Sequence, residues 1–143
     1  MQKSYRAPNP GDKRQWFLID AKDQPVGRLA VVAANKLRAK DLPTFDPSVD
    51  AGAFVVVINA AQVKLTGKKE ELKTYERYSG WRNGRKEFTA AQMRAKHPET
   101  MILEAVHGML PKNNIARKMM TRLKVFAGAE HNLAAQKPVE IKL

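Results

Sequence analysis

Polar side chains follow the two most apolar segments of the sequence, where an enzyme could use them. Asp20 comes near the end of the run WFLIDA, and Asn59 near the end of FVVVINA. Ligands of open parallel sheets gather at the carboxyl ends of the strands, so the pair could serve a small α/β enzyme. However, no Gly-x-Gly-x-x-Gly follows either run. The nearest phosphate-loop candidate, AAQVKLTGKK, lacks both its first Gly and the Ser or Thr after Gly-Lys. We therefore favour a structural role, in which both side chains bond turn backbone.

The remaining candidates for chemistry do not form a recognisable catalytic or metal-binding group. The three histidines, His97, His107 and His131, form no His-x-x-x-His pair, and no serine lies in a Gly-x-Ser-x-Gly turn. The chain contains no cysteine, which excludes disulfides and thiolate sites and fits an intracellular protein. His107 forms a helix-surface pair with Glu104 or donates to a phosphate. The sequence predicts no enzyme activity, no cofactor and no metal site.

The charge balance is the first positive indication of a partner. Lys and Arg number 26 against 14 Asp and Glu, which gives a formal net charge of +12. Such an excess favours a polyanion, most commonly nucleic acid. A membrane surface would require a basic amphipathic helix or a lipidation signal. The longest apolar stretch is too short to span a bilayer, and the first fifteen residues lack a signal-peptide core, so we expect a cytoplasmic protein.

The positive charges are concentrated in three stretches: residues 1–15, residues 64–88 and the segment VHGMLPKNNIARKMMTRLKVF at 106–126. The third has five cations and no acid. Helical spacing places Arg117, Thr121 and Lys124 along one solvent-facing stripe, with Lys118 and Arg122 beside it. Cations fixed in this way match a surface that follows phosphates and releases counterions.

The second basic stretch has aromatic residues among its cations, as single-stranded nucleic acid binders often do. Trp81 lies in SGWRNG, and we expect its ring to be exposed and to stack on an unpaired base. For Tyr75 and Tyr78 the sequence does not separate stacking on bases from packing within a hairpin.

Hydrophobic periodicity predicts an α/β fold. WFLID and FVVVI predict buried strands, and GRLAVVAANKLRAK between them predicts a helix, which together form a right-handed βαβ unit. Further predicted elements are a short helix near 68–72, a hairpin-like projection, a helix capped by Thr89, a helix that begins with Pro98, a helix at about 114–123, and strands in KVFAG and near the end. In domain terms we expect a basic tail at 1–15, one domain at 16–128 with a basic projection at about 64–88, and a C-terminal tail at 129–143.

Four segments in order resemble the bacterial type of the ribosomal protein L13 family, over almost the whole chain. They are WFLIDAKDQPVGRLA, VVVINA followed by LTGKKEELKTY, AVHGMLPKNNIARKMMTRLKVFAG, and AAQKP. The chain departs from the usual family residues at Ala39-Lys40, Gly52-Ala53, Ile115-Ala116-Arg117 and His131-Asn132-Leu133.

The resemblance implies a three-layer α/β/α domain around a small, mainly parallel sheet. It also implies a structural constituent of the large ribosomal subunit that binds 23S-type rRNA, supports early subunit assembly and resides in the cytoplasm. The implied partners are large-subunit rRNA and neighbouring ribosomal proteins, with no membrane and no small-molecule substrate. Because they lie in the matching motifs, the resemblance implies RNA contact for seven residues: Arg28, Lys68, Lys69, Lys112, Arg117, Arg122 and Lys124. Charge and position add Lys3, Arg6, Arg14, Lys73, Trp81, Arg82, Arg85, His107 and Lys118.

The same charge and fold leave two other functions open. One is the small α/β enzyme at Asp20 and Asn59. The other is a general DNA-compacting protein, which would bind duplex DNA as well as structured rRNA.

Overall fold

Two apolar runs form the central strands of the molecule. β1 (Trp16–Asp20) and β2 (Phe54–Ile58) pair in parallel, with Trp16 opposite Phe54 and Asp20 opposite Ile58. Their β-branched and aromatic residues suit an extended, covered strand. The rings of Trp16 and Phe54 stack with centroids 4.1 Å apart.

The computed structural model describes residues 7–8, 10–11 and 13–142.

Two short strands extend this pair into a four-stranded sheet. β5 (Leu123–Val125) pairs with β2, and β6 (Val139–Ile141) pairs with β1, so the strand order is β5-β2-β1-β6. Every pairing in this sheet is parallel. The strands expected in KVFAG and near the end of the chain are therefore confirmed. The segment 129–143, expected as a tail, contributes an edge strand.

Helix α1 (Val26–Arg38) connects β1 to β2 and buries apolar residues at helical spacing. Leu29, Ala30, Ala33 and Leu37 are fully buried, whereas Arg28 is exposed. The helix ends at Ala39, whose left-handed φ of 59° allows its N–H to bond back to the helix carbonyls.

Helices α3 (Ala90–Lys96) and α4 (Pro98–Met109) follow the capping signals in the sequence. The Thr89 hydroxyl accepts from the Gln92 N–H, and the Gln92 side chain accepts from the Thr89 N–H, which completes a capping box. Ile102 and Val106 of α4 pack with α1 against the sheet. Met109, the last residue of α4, is 37% exposed.

The segment after β2 forms the predicted projection. Helix α2 (Lys69–Leu72) leads into β3 (Thr74–Tyr78), which pairs antiparallel with β4 (Arg85–Thr89). Tyr75 is buried against Ala90 and Met101, and this second apolar cluster fixes the base of the hairpin.

Helix α5 (Asn114–Thr121) is the last helix, and it ends two residues before the predicted position. The Asn113 side chain caps it by accepting from the Ala116 N–H at 2.9 Å. The expected class is confirmed, since the parallel sheet is flanked by helices in a way that fits a three-layer α/β/α domain. No helix in the described ranges is long and apolar enough to span a membrane.

Candidate nucleic-acid interface

The exposed side of α5 carries positive charge without compensating acid. Ala116 and Met119 bury the opposite side of the helix, which leaves Arg117 and Lys118 in solvent. Lys112, just before the helix, is exposed as well. Among the ion pairs between described residues, none involves these three cations. We call Lys112, Arg117 and Lys118 the α5 cation face. Arg117 and Lys118 are exposed on α5 as the predicted stripe requires, whereas the other two cations of that stripe, Arg122 and Lys124, lie beyond the end of the helix.

Lys124 does not belong to that stripe, so its predicted helical position is wrong. Because α5 ends at Thr121, Lys124 lies in β5, opposite Val56 of β2. Side chains alternate along a strand, so Lys124 is exposed while its neighbour Leu123 is buried. Lys124 remains an accessible cation, but the sheet positions it rather than the helix.

Arg122 is buried, which contradicts the expectation that it faces solvent. Its relative exposure is 6%, and its two terminal nitrogens donate to the two carboxylate oxygens of Asp50 at 2.5 Å each. One of them also donates to the Leu37 carbonyl at 3.3 Å. This two-pronged pairing is the geometry in which a guanidinium binds a carboxylate most strongly. Arg122 therefore ties the end of α5 to the loop before β2.

Arg14 joins the same cluster, although the sequence places it in a tail. Its guanidinium donates to the carbonyls of Gly52 at 2.6 Å and Asp50 at 2.9 Å, and it lies 3.6 Å from the Asp50 carboxylate. Burial lowers the pKa of Arg14, and the neighbouring charge of Arg122 lowers it further, while Asp50 opposes both effects. Arg14 thus holds the chain before β1 against the domain. Lys3 and Arg6, predicted in the same stretch, lie outside the described residues.

The hairpin tip presents an aromatic ring to solvent. Trp81 is 79% exposed and Tyr78 67% exposed, whereas Tyr75 is buried, so the alternative left open for Tyr75 is decided in favour of packing. The Gly84 N–H donates to the Trp81 carbonyl at 2.9 Å, and the Ser79 N–H donates to the Gly84 carbonyl at 3.3 Å. These bonds close the turn and hold Trp81 outward.

The two arginines next to this tip differ in their surroundings. Arg82 is exposed and makes no ion pair with a described residue. Arg85 is also exposed, but it contacts Glu76 across the hairpin at 2.7 Å and Glu87 of its own strand at 2.6 Å. An RNA phosphate would have to compete with these carboxylates for Arg85.

Four lysines of the projection line a shallow groove of about 740 Å³ beside the start of α1, and three of them (Lys68, Lys69 and Lys73) are predicted RNA contacts. Lys64, Lys68, Lys69 and Lys73 are all exposed along it. Arg28 on α1 and His107 in the last turn of α4 are exposed too, but neither lines this groove. The exposed cations thus form three sets, the α5 cation face, the hairpin tip and the lysine groove, and Arg28, His107 and Lys124 belong to none of them.

Asp20 and Asn59 bond each other and the turn after β1. The Asn59 amide donates to the Asp20 carboxylate at 2.8 Å, and the Lys22 N–H donates to the same oxygen at 2.9 Å. The hydrogen bond from Asn59 and, to a smaller extent, the one from the Lys22 N–H hold the pKa of Asp20 below its ordinary value, although burial opposes this effect. Asp20 thus bonds turn backbone as expected, whereas the Asn59 side chain bonds the Asp20 carboxylate instead of the backbone. Within the described residues, no group of three or more His, Asp or Glu is placed to hold a metal ion.

Sequence reasoning missed two arginine–carboxylate links that fix the elements of the site. Arg122 binds Asp50, which is 72 residues away in the chain. Arg94 of α3 binds Glu70 of α2 at 2.8 and 2.9 Å and donates to the carbonyls of Ala61 and Val63. Neither pair has a local sequence signal, because the partners meet only after the chain folds.

Comparison with known proteins agrees with the geometry. The family model described as "Ribosomal protein L13" matches residues 14–132. A "Large ribosomal subunit protein uL13" of Petrotoga mobilis is 50% identical over 100% of this chain and 95% of its own length. Proteins of the same name from Clostridioides difficile and Deinococcus radiodurans are 51% and 50% identical, over 95% and 98% of this chain and 95% and 79% of their own lengths. The chain belongs to the ribosomal protein L13 family.

Proposed function

We propose that this protein is a structural constituent of the large ribosomal subunit that binds 23S-type rRNA and supports early subunit assembly. Its relatives bear the name of a large-subunit protein, which supports the assignment to the subunit and to a structural rather than an enzymatic role. The proposed partners are large-subunit rRNA and neighbouring ribosomal proteins. The proposed location is the cytoplasm, within the ribosome.

The α5 cation face is the single observation that carries RNA binding. An exposed helix usually mixes both signs of charge, because opposite charges at helical spacing stabilise it. α5 has no acid in its first turn, and its exposed cations lack carboxylate partners among the described residues. RNA phosphates supply the missing counter-charges. Binding them releases condensed cations from the RNA, and this release drives association.

The hairpin tip adds a second mode of contact. An exposed indole held outward by a hydrogen-bonded turn can stack on an unpaired base at little cost in conformational entropy, since the turn is already ordered. Arg82 beside it is free to meet a flanking phosphate. We also keep Arg28, His107, Lys124 and the undescribed Lys3 and Arg6 as predicted RNA contacts.

The salt dependence of RNA binding tests the α5 cation face. Arg117→Ala and Lys118→Ala should each weaken binding to a large-subunit rRNA fragment and reduce the slope of log affinity against log salt by roughly one unit. The matched control is Lys22→Ala, which removes one exposed charge from the turn after β1. If both α5 variants kept the wild-type slope, the α5 face would not be the RNA surface.

Two further measurements separate the remaining functions. Co-sedimentation with the large subunit after a high-salt wash tests the proposed role as a stable constituent. Binding to duplex DNA and to structured rRNA, compared at one salt concentration, tests the DNA-compacting alternative. Equal affinities would favour that alternative, whereas a strong rRNA preference agrees with the proposal.

A further inference from the structure

The lysine groove differs in character from the α5 cation face, because much of it is apolar. Val26, Leu65, Ala105 and Met109 contribute to its lining, together with Leu72 of α2. Leu72 is 73% exposed and Met109 37% exposed, so two large aliphatic side chains of the groove lining are open to solvent. Single exposed apolar residues are common, but a concave set of them beside fixed charges is typical of a docking site.

The charge around the groove has one sign. No Asp or Glu lines it, and four lysines do. Lys69 contacts the Thr66 hydroxyl at 3.3 Å, and the Lys73 ammonium lies 4.8 Å from the centre of the Tyr75 ring, so both described contacts are with neutral groups. The nearby Glu70 is already bound by Arg94 at 2.8 Å. Negative charge from a partner would therefore be complementary to the four lysines that line the groove.

We propose that the lysine groove docks an acidic segment of another protein, with aliphatic side chains of that segment against Leu72 and Met109 and its carboxylates against the lysines. A sugar–phosphate backbone offers only the small C–H surface of its riboses to cover Leu72 and Met109, whereas aliphatic side chains of a protein segment can bury both. No aromatic residue lines the groove, so a base would have no ring to stack on there. This assignment replaces, for Lys68, Lys69 and Lys73, the RNA contact that the sequence predicts. It is independent of the RNA contact proposed for α5.

Photocrosslinking in the assembled large subunit tests the proposal. A benzophenone amino acid is incorporated in place of Leu72, which is exposed, so the change should not disturb folding. The purified subunit is irradiated, and the crosslinked product is digested separately with ribonuclease and protease. The adduct is then mapped by mass spectrometry. The matched control carries the same amino acid in place of Lys118, on the α5 cation face.

The proposal expects the Leu72 adduct to be protein, within a segment that contains several Asp or Glu residues and at least one Leu, Ile, Val or Met. An adduct to rRNA, an adduct to a segment without that composition, or no adduct at all would overturn it. The Lys118 control should give an rRNA adduct. Failure of that control alone would count against the proposed RNA surface and leave the groove assignment standing.

Discussion

Arg122 is tolerated in the interior because Asp50 binds both of its terminal nitrogens there, whereas its buried Nε donates to no described residue. A buried guanidinium would be costly by itself, but here both terminal nitrogens meet the Asp50 carboxylate, and Arg14 approaches the same acid from the chain before β1. The cluster joins three parts of the chain that are distant in sequence. Arg122 therefore contributes to stability, whereas the neighbouring Arg117 is free to bind a partner.

Substitution of Arg122 should accordingly destabilise the free protein. Arg122→Met leaves Asp50 without its main partner, and removal of one member of a buried pair costs about 3–5 kcal/mol of unfolding free energy. Arg117→Ala is the control, and we expect a change within about 0.5 kcal/mol because that side chain is exposed. Urea unfolding followed by circular dichroism measures both. Equal stability of the two variants would show that the Asp50 pairing does not stabilise the fold.

A second prediction concerns the pKa of Asp20. Because the Asn59 amide holds this pKa below its ordinary value, Asn59→Gly should raise it toward that value, as measured by NMR titration of the carboxyl carbon. Glycine suits the site, since Asn59 has a φ of 58°. The stability from the lowered pKa is present above the unfolded pKa of about 3.9 and is lost as pH falls through the folded value. An unchanged pKa in the variant would mean that the Lys22 N–H alone sets it.

At the scale of elements, the sequence predicts what local periodicity controls. The buried stripe of α1, the Thr89 cap and the strands of the sheet all follow from residue spacing, and the structure agrees with them. The positions of Arg122 and Lys124 do not follow, because the chain changes there from helix to strand. If helical spacing is continued past Thr121, both side chains are assigned to a helix face, although the helix has ended at that residue. Local residue spacing also cannot predict a partner such as Asp50, which is 72 residues from Arg122 in the chain.

The hairpin gives the prediction that belongs to this scale. Trp81→Ala should weaken binding to an rRNA fragment about 5- to 150-fold, since stacking on one base is worth about 1–3 kcal/mol. Trp81→Phe should retain most of the affinity. Gly84→Ala should reproduce the loss with the indole still present, because a Cβ there would lie 2.9 Å from the backbone carbonyl oxygen of Trp81 as well as 2.0 Å from the Ser79 hydroxyl, and so would disturb the turn.

Titration of each hairpin variant with the same rRNA fragment measures these effects. Thermal unfolding of the free proteins serves as the control, because the tip lies outside the main apolar core and its loss should change the melting temperature little. Full affinity of Trp81→Ala would rule out stacking, and full affinity of Gly84→Ala would show that the turn need not be ordered in advance.

At the scale of the whole molecule, stability and binding respond to charge in opposite ways. The net charge of +12 raises the self-repulsion of the free folded protein, and the same charge attracts a polyanion. The buried cluster at Asp50 and the Arg94–Glu70 pair use some cations internally, whereas the α5 cation face and the lysine groove hold cations without carboxylate partners among the described residues. We therefore expect these cations to gain counter-charges when a negatively charged partner binds.

Salt should therefore stabilise the free protein while it weakens RNA binding. When NaCl is raised from about 0.01 to 0.1 M, the screening length falls from about 30 to about 10 Å, and repulsion between the separate basic surfaces decreases. We expect the melting temperature of the free protein to rise over this range, while affinity for the rRNA fragment falls. The variant that combines Arg117→Ala with Lys118→Ala should gain less from salt, because it carries two fewer positive charges. A melting temperature that stayed constant or fell with salt would show that unpaired cations are not the main electrostatic cost in the free fold.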